Sequence, residues 1–102
     1  MLKHIIFYDF AGKGTPEEKA KAIQGIKEAL EGLKAVIPEI IESTVFTELL
    51  AGSEADFVLY SSFENQAALE AYLQHPAHVR VAAEAVRPQI KNRRCVDFEV
   101  CG

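Results

Sequence analysis

Four residues of this 102-residue chain carry side chains suited to moving a proton at neutral pH: His4, Tyr72, His75 and His78. A neutral imidazole, with an ordinary pKa of about 6.5, can take a proton from a carbon acid, and a phenol can donate a hydrogen bond to the enolate that forms. If His4, Tyr72 and His78 converge, they suit aldol-type cyclisation, enolisation or isomerisation of a small carbonyl compound with no cofactor. His75 stands before Pro76, where a helix must break, and can fix the bend by bonding a freed backbone carbonyl. The pattern argues against a metal, because the proline break keeps His75 and His78 off one continuous helical face and no acidic residue has ligand spacing with them. A structural reading stands beside the chemical one. Tyr72 falls on the apolar stripe of its helix and can be a core aromatic with its hydroxyl at the rim, and His75 to His78 can be a capping turn.

Three other features are less specific. Arg80, Arg87, Lys91, Arg93 and Arg94 make the approach to the last strand basic. This reads as a solvated helix face and loop, the alternative being a docking patch for an anionic small molecule or acidic partner. Gly12-Lys13-Gly14 lacks the spacing of a phosphate-binding loop and reads as a turn. Cys95 and Cys101, six apart in a strand, would lie about 20 Å from one another, whereas a disulfide needs about 4.4 to 6.8 Å between Cα atoms. They are expected to be unpaired thiols, and with no CxxC spacing they make a poor metal or redox pair.

The elements that must position these groups follow from periodicity. Lys3 to Phe10 alternates as a strand, with His4, Ile6, Tyr8 and Phe10 on one face and Lys3, Ile5, Phe7 and Asp9 on the other. Thr15, Pro16 and Glu18 form a capping-box helix start. Ile23, Ile26, Leu30, Leu33 and Ile37 then trace one helical stripe that ends at Pro38. Gly25 and Gly32 lie inside this helix, marking either a close backbone approach or a weak helix that tolerates them. Strands are expected over Ile41 to Leu49 and Asp56 to Phe63. A helix capped by Asn65 should run to Leu73, with a second helical piece from Ala77 to Val86 and a closing strand from Cys95 to Val100. The order β-α-β-β-α-β is the ferredoxin-like α+β plan, an antiparallel four-stranded sheet with its helices on one face.

Composition sets the limits. The length fits one domain, spanning residues 1–102. Eleven Lys and Arg against fifteen Asp and Glu give a net charge of −4, which argues against nucleic acid or an anionic membrane as partner. A mean hydropathy of +0.02, without an apolar run long enough to span a bilayer or a signal peptide, makes the cytoplasm the expected compartment. About half of the residues, 49%, are apolar, and they fall on both faces of the sheet, for example Ile5 and Phe7 opposite Ile6 and Tyr8. A monomer would expose one of those faces, so a homodimer packed sheet to sheet is expected.

Lys3-His4-Ile5-Ile6, Ile37-Pro38, Phe63-Glu64 with Ala68-Leu69-Glu70-Ala71-Tyr72, His75-Pro76-Ala77-His78-Val79, Arg87-Pro88 and Val96-Asp97-Phe98-Glu99-Val100 together form a pattern. Through them the sequence resembles the stress-responsive A/B barrel (Dabb) family along essentially the whole chain, most specifically in Tyr-x-x-His-Pro-x-His. The resemblance implies a dimeric α+β barrel of undefined biochemistry, with a pocket between sheet and helices for a small apolar or carbonyl ligand. A plant polyketide cyclase of the family implies, as the alternative, a cofactor-free cyclase or isomerase. Its catalytic tyrosine and histidine correspond to Tyr72 and His78, and a pocket histidine to His4. A further pocket histidine falls at Phe57, a departure that changes the pocket's polarity. Relatives that hold a cation on backbone carbonyls point to the region of Ile37 and Ile40. A small oxygenase of related barrel families is a third class, without support from any cofactor motif or tryptophan here.

Overall fold

The computed structural model describes residues 1–101. Strand β1 (Leu2–Phe10) is followed by helix α1 (Pro16–Gly32), which tightens into a 3-10 turn at Leu33–Ala35. Strands β2 (Glu42–Phe46) and β3 (Phe57–Phe63) lead to helices α2 (Gln66–Gln74) and α3 (Pro76–Val81). A π-helical turn at Ala82–Val86 and a 3-10 turn at Arg87–Gln89 then enter strand β4 (Ile90–Glu99). The sheet order is β2-β3-β1-β4 and each neighbouring pair is antiparallel, which is the ferredoxin-like α+β arrangement.

The alternation that defines the strands also decides what they bury. Leu2, His4, Ile6 and Tyr8 of β1 and Phe57, Leu59, Ser61 and Phe63 of β3 are buried, while Lys3, Ile5, Phe7, Val58 and Tyr60 on the other face are only half-buried. The α1 stripe of Ile23, Ile26, Leu30, Leu33 and Ile37 packs into the same core. Its start is fixed as its sequence implies: Thr15 accepts from the Glu18 N–H and the Glu18 carboxylate accepts from the Thr15 N–H. Lys27 and Glu31 straddle β2 from α1. Lys27 donates to the Val45 carbonyl at 2.8 Å and Glu31 accepts from the Val45 N–H at 2.9 Å, satisfying two polar groups of an edge strand. A Cβ added at Gly25 or Gly32 would meet nothing within 4 Å, so these glycines mark no close approach.

Two strand boundaries differ from the sequence expectation by more than one residue. β2 stops at Phe46 rather than Leu49. β4 starts at Ile90 rather than Cys95, so Lys91, Arg93 and Arg94 belong to a strand and not to a helix face and loop. Periodicity detects burial, and β4 is an exposed edge whose charged first half pairs with β1 without burying side chains. The two cysteines are free thiols, as expected. Among the described residues no helix is long and apolar enough to cross a membrane.

Candidate functional site

The helical connection between β3 and β4 is broken twice, and residues flanking each break line one cavity. Asn65 caps α2 by accepting from the Ala68 N–H at 2.9 Å. Pro76 then ends the run, and His75 caps α3 with its Nδ1 accepting from the Ala77 N–H at 3.1 Å. The expected bond from His75 to a freed carbonyl is therefore reversed in polarity: the ring accepts from a free amide at the new helix start. The second break arises at Pro88, which has no N–H to give. The chain widens into a π turn in which the Arg87 N–H reaches the Ala82 carbonyl, and the Gln89 side chain donates to the Ala85 carbonyl at 2.8 Å.

Between this connection and the sheet lies an open cavity of about 300 Å³. Ile6, Leu30, Leu59 and Val86 supply much of its apolar wall, and Tyr8, Tyr72, His78, Arg87 and Arg93 bring polar groups to it. Tyr72 and His78 meet here with ring centroids 4.4 Å apart. His78 Nδ1 lies 3.0 Å from the Leu73 carbonyl. A carbonyl only accepts, so Nδ1 carries the hydrogen and Nε2 keeps the free lone pair. Burial holds the His78 pKa below its ordinary value; the Leu73 bond opposes this, and nearby His4, Arg93 and Arg87 add to the lowering. The ring is thus neutral at pH 7. Burial, then the neighbouring Tyr8, pushes the Tyr72 phenol well above its usual range, so it remains a donor.

His4 stands beside Tyr72 rather than on the cavity wall, edge-on at 6.3 Å, and is 2% exposed. Its Nδ1 is 2.5 Å from Asp97 Oδ1, while its Nε2 is buried without a hydrogen-bond partner among the described residues. Cys95 Sγ lies 3.6 Å from both His4 Nδ1 and Asp97 Oδ1. These three donor atoms fall within 4.8 Å of one another. Two tetrahedral zinc ligands, each about 2.0 to 2.1 Å from the ion, sit roughly 3.3 Å apart. The His4–Asp97 contact is shorter than that, so the trio is arranged as a hydrogen-bonded pair with a thiol alongside it.

Phe57 and His75 do not line the cavity. Phe57 is fully buried and stacks on Tyr8, with centroids 4.9 Å apart and planes 16° apart, so it backs one wall without filling the space. The Ile37 carbonyl, one of those associated with a cation by resemblance, accepts from the Ile40 N–H at 3.2 Å. Sequence reasoning missed Tyr8 as a site residue, and it placed Arg87 and Arg93 only in a basic run, read as a solvated face with a docking patch for an anion as the alternative. Tyr8 shares the β1 face of His4 and Ile6, a signal present in the alternation. Burial pushes its phenol up to about 12 against the opposing effect of Arg93. Arg93 continues the alternation of Cys95 and Asp97, but it lay outside the strand expected from Cys95.

The model of the Stress Responsive A/B Barrel Domain matches residues 2–100. None of the curated proteins compared matches the sequence significantly. Among solved structures, a dimeric protein of unknown function with a ferredoxin-like fold from Bacteroides fragilis is 31% identical, with a TM-score of 0.84 over 97% of this chain and 95% of that one. A dimeric ferredoxin-like protein of unknown function from Thermobifida fusca is 27% identical, with a TM-score of 0.76 over 97% and 90%. The hydroxynitrile lyase of Passiflora edulis shares the fold at 18% identity, with a TM-score of 0.81 over 98% and 93%.

Proposed function

The chain belongs to the stress-responsive A/B barrel (Dabb) family, and on that scaffold we propose that the cavity between sheet and helices binds a small carbonyl compound and moves a proton on it without a cofactor. In this reading His78 is the base and Tyr72 the hydrogen-bond donor to the enolate oxygen. The tautomer of His78 carries the argument: with Nδ1 donating to Leu73, the atom left to accept a proton is Nε2 of a ring kept neutral by burial. Tyr72, held as a phenol at ring contact with it, supplies the complementary donor. One base and one oriented donor contribute roughly 10² to 10⁴ in rate for proton transfer. The hydroxynitrile lyase with this fold is a precedent for small-molecule chemistry on such a scaffold, not for a particular substrate.

Solvent exchange at a carbon acid tests the proposal. Phenylacetone and phenylpyruvate in deuterated buffer, followed by proton NMR, should lose their methylene signals faster with the protein present. His78→Gln should remove most of that acceleration and Tyr72→Phe a smaller part. Binding without acceleration would leave a ligand-binding module, the reading in which the pocket holds a small apolar or carbonyl ligand without turnover.

The assembly proposed with this function is a homodimer through the open sheet face. Phe46, Val96 and Phe98 are 43–49% exposed there, beside half-buried Ile5, Phe7 and Val58. A contiguous apolar surface of this kind marks an association site, and the Bacteroides and Thermobifida relatives are dimeric. The free thiols of Cys95 and Cys101 support a reducing, cytoplasmic setting.

A further inference from the structure

Arg87 and Arg93 border a cavity whose remaining wall is largely aliphatic and aromatic. Among the described residues neither forms a salt bridge, whereas Arg94, next in the chain, pairs with Asp9 at 3.2 Å. Both residues are exposed, so their guanidinium groups stand at the mouth while the aliphatic wall lies deeper. A guanidinium placed at the rim of an apolar cavity offers a planar fork that matches carboxylate and phosphate oxygens in pairs.

The position of Arg93 is built into the backbone. The β1–β4 register pairs Phe7 with Arg94 and Asp9 with Lys91, leaving Tyr8 opposite the two residues Asn92 and Arg93. This is a β-bulge, and its first residue, Asn92, has φ of 50°, a left-handed conformation that asparagine tolerates better than most residues. Asp9 clamps the bulge from β1: Oδ2 accepts from Asn92 Nδ2 at 3.1 Å and Oδ1 from Arg94 at 3.2 Å. Beyond the bulge, Arg94 shares the open face with Phe7, while Arg93 borders the cavity with Tyr8. Arg93 thus keeps the alternation of β4, on the face of Cys95 and Asp97, which pair with Ile6 and His4.

We infer that the ligand of this cavity is an organic anion: a carboxylate or phosphate held by Arg93 and Arg87 at the mouth, on a short apolar or aromatic body that reaches Tyr72 and His78. This rests on the reading of the cavity as a ligand site and specifies the substrate class for it. A neutral body with an anionic end would be positioned by its charge, leaving the carbon beside its carbonyl near the base.

Equilibrium binding, followed by protein NMR shifts, separates the possibilities with three probes of one shape: phenylacetate, phenyl phosphate and the neutral phenylacetamide. At least one anion should bind about tenfold or more tightly than the amide, the scale of a charge-assisted hydrogen-bond pair. Which anion wins identifies the head group. Arg93→Gln should erase that preference and Arg87→Gln weaken it, whereas Arg80→Gln, away from the cavity, should leave it intact. The preference is an equilibrium ratio read without turnover, so failure of the proton-transfer reading is distinguishable from failure of this one. Equal binding of all three probes, no binding of either anion, or an anion preference that survives Arg93→Gln would overturn the inference. So would an equal loss in Arg80→Gln, which would reveal only a diffuse positive surface.

Discussion

His4 and Asp97 face one another directly across the β1–β4 pair, and Nδ1 of the buried imidazole lies 2.5 Å from Oδ1 of the carboxylate. The contact ties an interior strand to the edge strand that also carries Arg93. It is the short hydrogen bond of the buried ring: Cys95 Sγ lies farther from the same Nδ1, at 3.6 Å, and Nε2 has no partner among the described residues. Asp97 is half in solvent, so its side chain can be changed without opening the core.

Replacing Asp97 with alanine should therefore destabilise the fold by about 1 to 3 kcal/mol, the cost of leaving a buried polar group unpaired. Urea denaturation checks this, and Asp97→Asn, whose amide oxygen still accepts, should recover a good part of the loss. A midpoint unchanged in Asp97→Ala would mean that the short contact contributes nothing to stability.

The lowered pKa of His78 gives a stability signature with a definite sign. In the unfolded chain the ring protonates near its ordinary pKa of about 6.5, but in the folded protein protonation is held back to lower pH by burial. Between those values the unfolded state binds more protons, so stability is fully present above the unfolded pKa and falls as pH drops through the window below it. His78→Gln can keep a donor to Leu73 while losing the titration. Its urea midpoint should vary less with pH below 6.5 than that of the unaltered protein. Exchange catalysis, which needs the base form, should fade at a pH below 6.5 rather than at it. Identical pH profiles for the two proteins would remove His78 from both roles.

The bulge makes a separate prediction at Asn92, whose φ of 50° lies where β-branched residues are strained. Asn92→Val should cost about 1 to 3 kcal/mol and weaken anion binding by displacing Arg93. Asn92→Gly, free of that strain though without the Asp9 hydrogen bond, should retain most of the binding. Thermal denaturation and the phenylacetate titration on the two variants check the pair. Equal tolerance of valine and glycine would show that the backbone there relaxes easily.

Much of the fold is legible in the residues themselves. The α1 stripe, the Thr15–Glu18 capping box, the Asn65 cap and the alternation of β1 and β3 are local patterns, each enforced by burial or by helix-end hydrogen bonds within a few residues. Tyr72 and His78 come together for the same reason, since only five residues, with one proline break among them, lie between the two. What the sequence concealed depends on pairing between distant strands. Arg93 looks like one more charge in a basic run until β4 extends back to Ile90 and its pairing with β1 sets Arg93 on the face of Cys95 and Asp97, beside Tyr8. Cys95 looks incidental until β4 sets it 3.6 Å from His4. The polarity of the His75 cap was hidden because a neutral imidazole can either donate or accept, and only the finished turn decides which.

The open sheet face carries the last prediction. Val96 and Phe98 point away from the helices, opposite Ile5 and Lys3 on β1, and both are more than two-fifths exposed. Two charges placed there, as Val96→Glu with Phe98→Glu, should leave the core intact because neither side chain enters it, while making the proposed sheet-to-sheet interface untenable through buried unpaired carboxylates. Sedimentation velocity at micromolar concentration should show a dimer for the unaltered protein and a monomer for the double variant, with similar circular dichroism. The cavity lies on the opposite side of the sheet, so anion binding should survive in the monomer. A stable monomer before any substitution would leave the exposed Phe46, Val96 and Phe98 without the partner proposed for them.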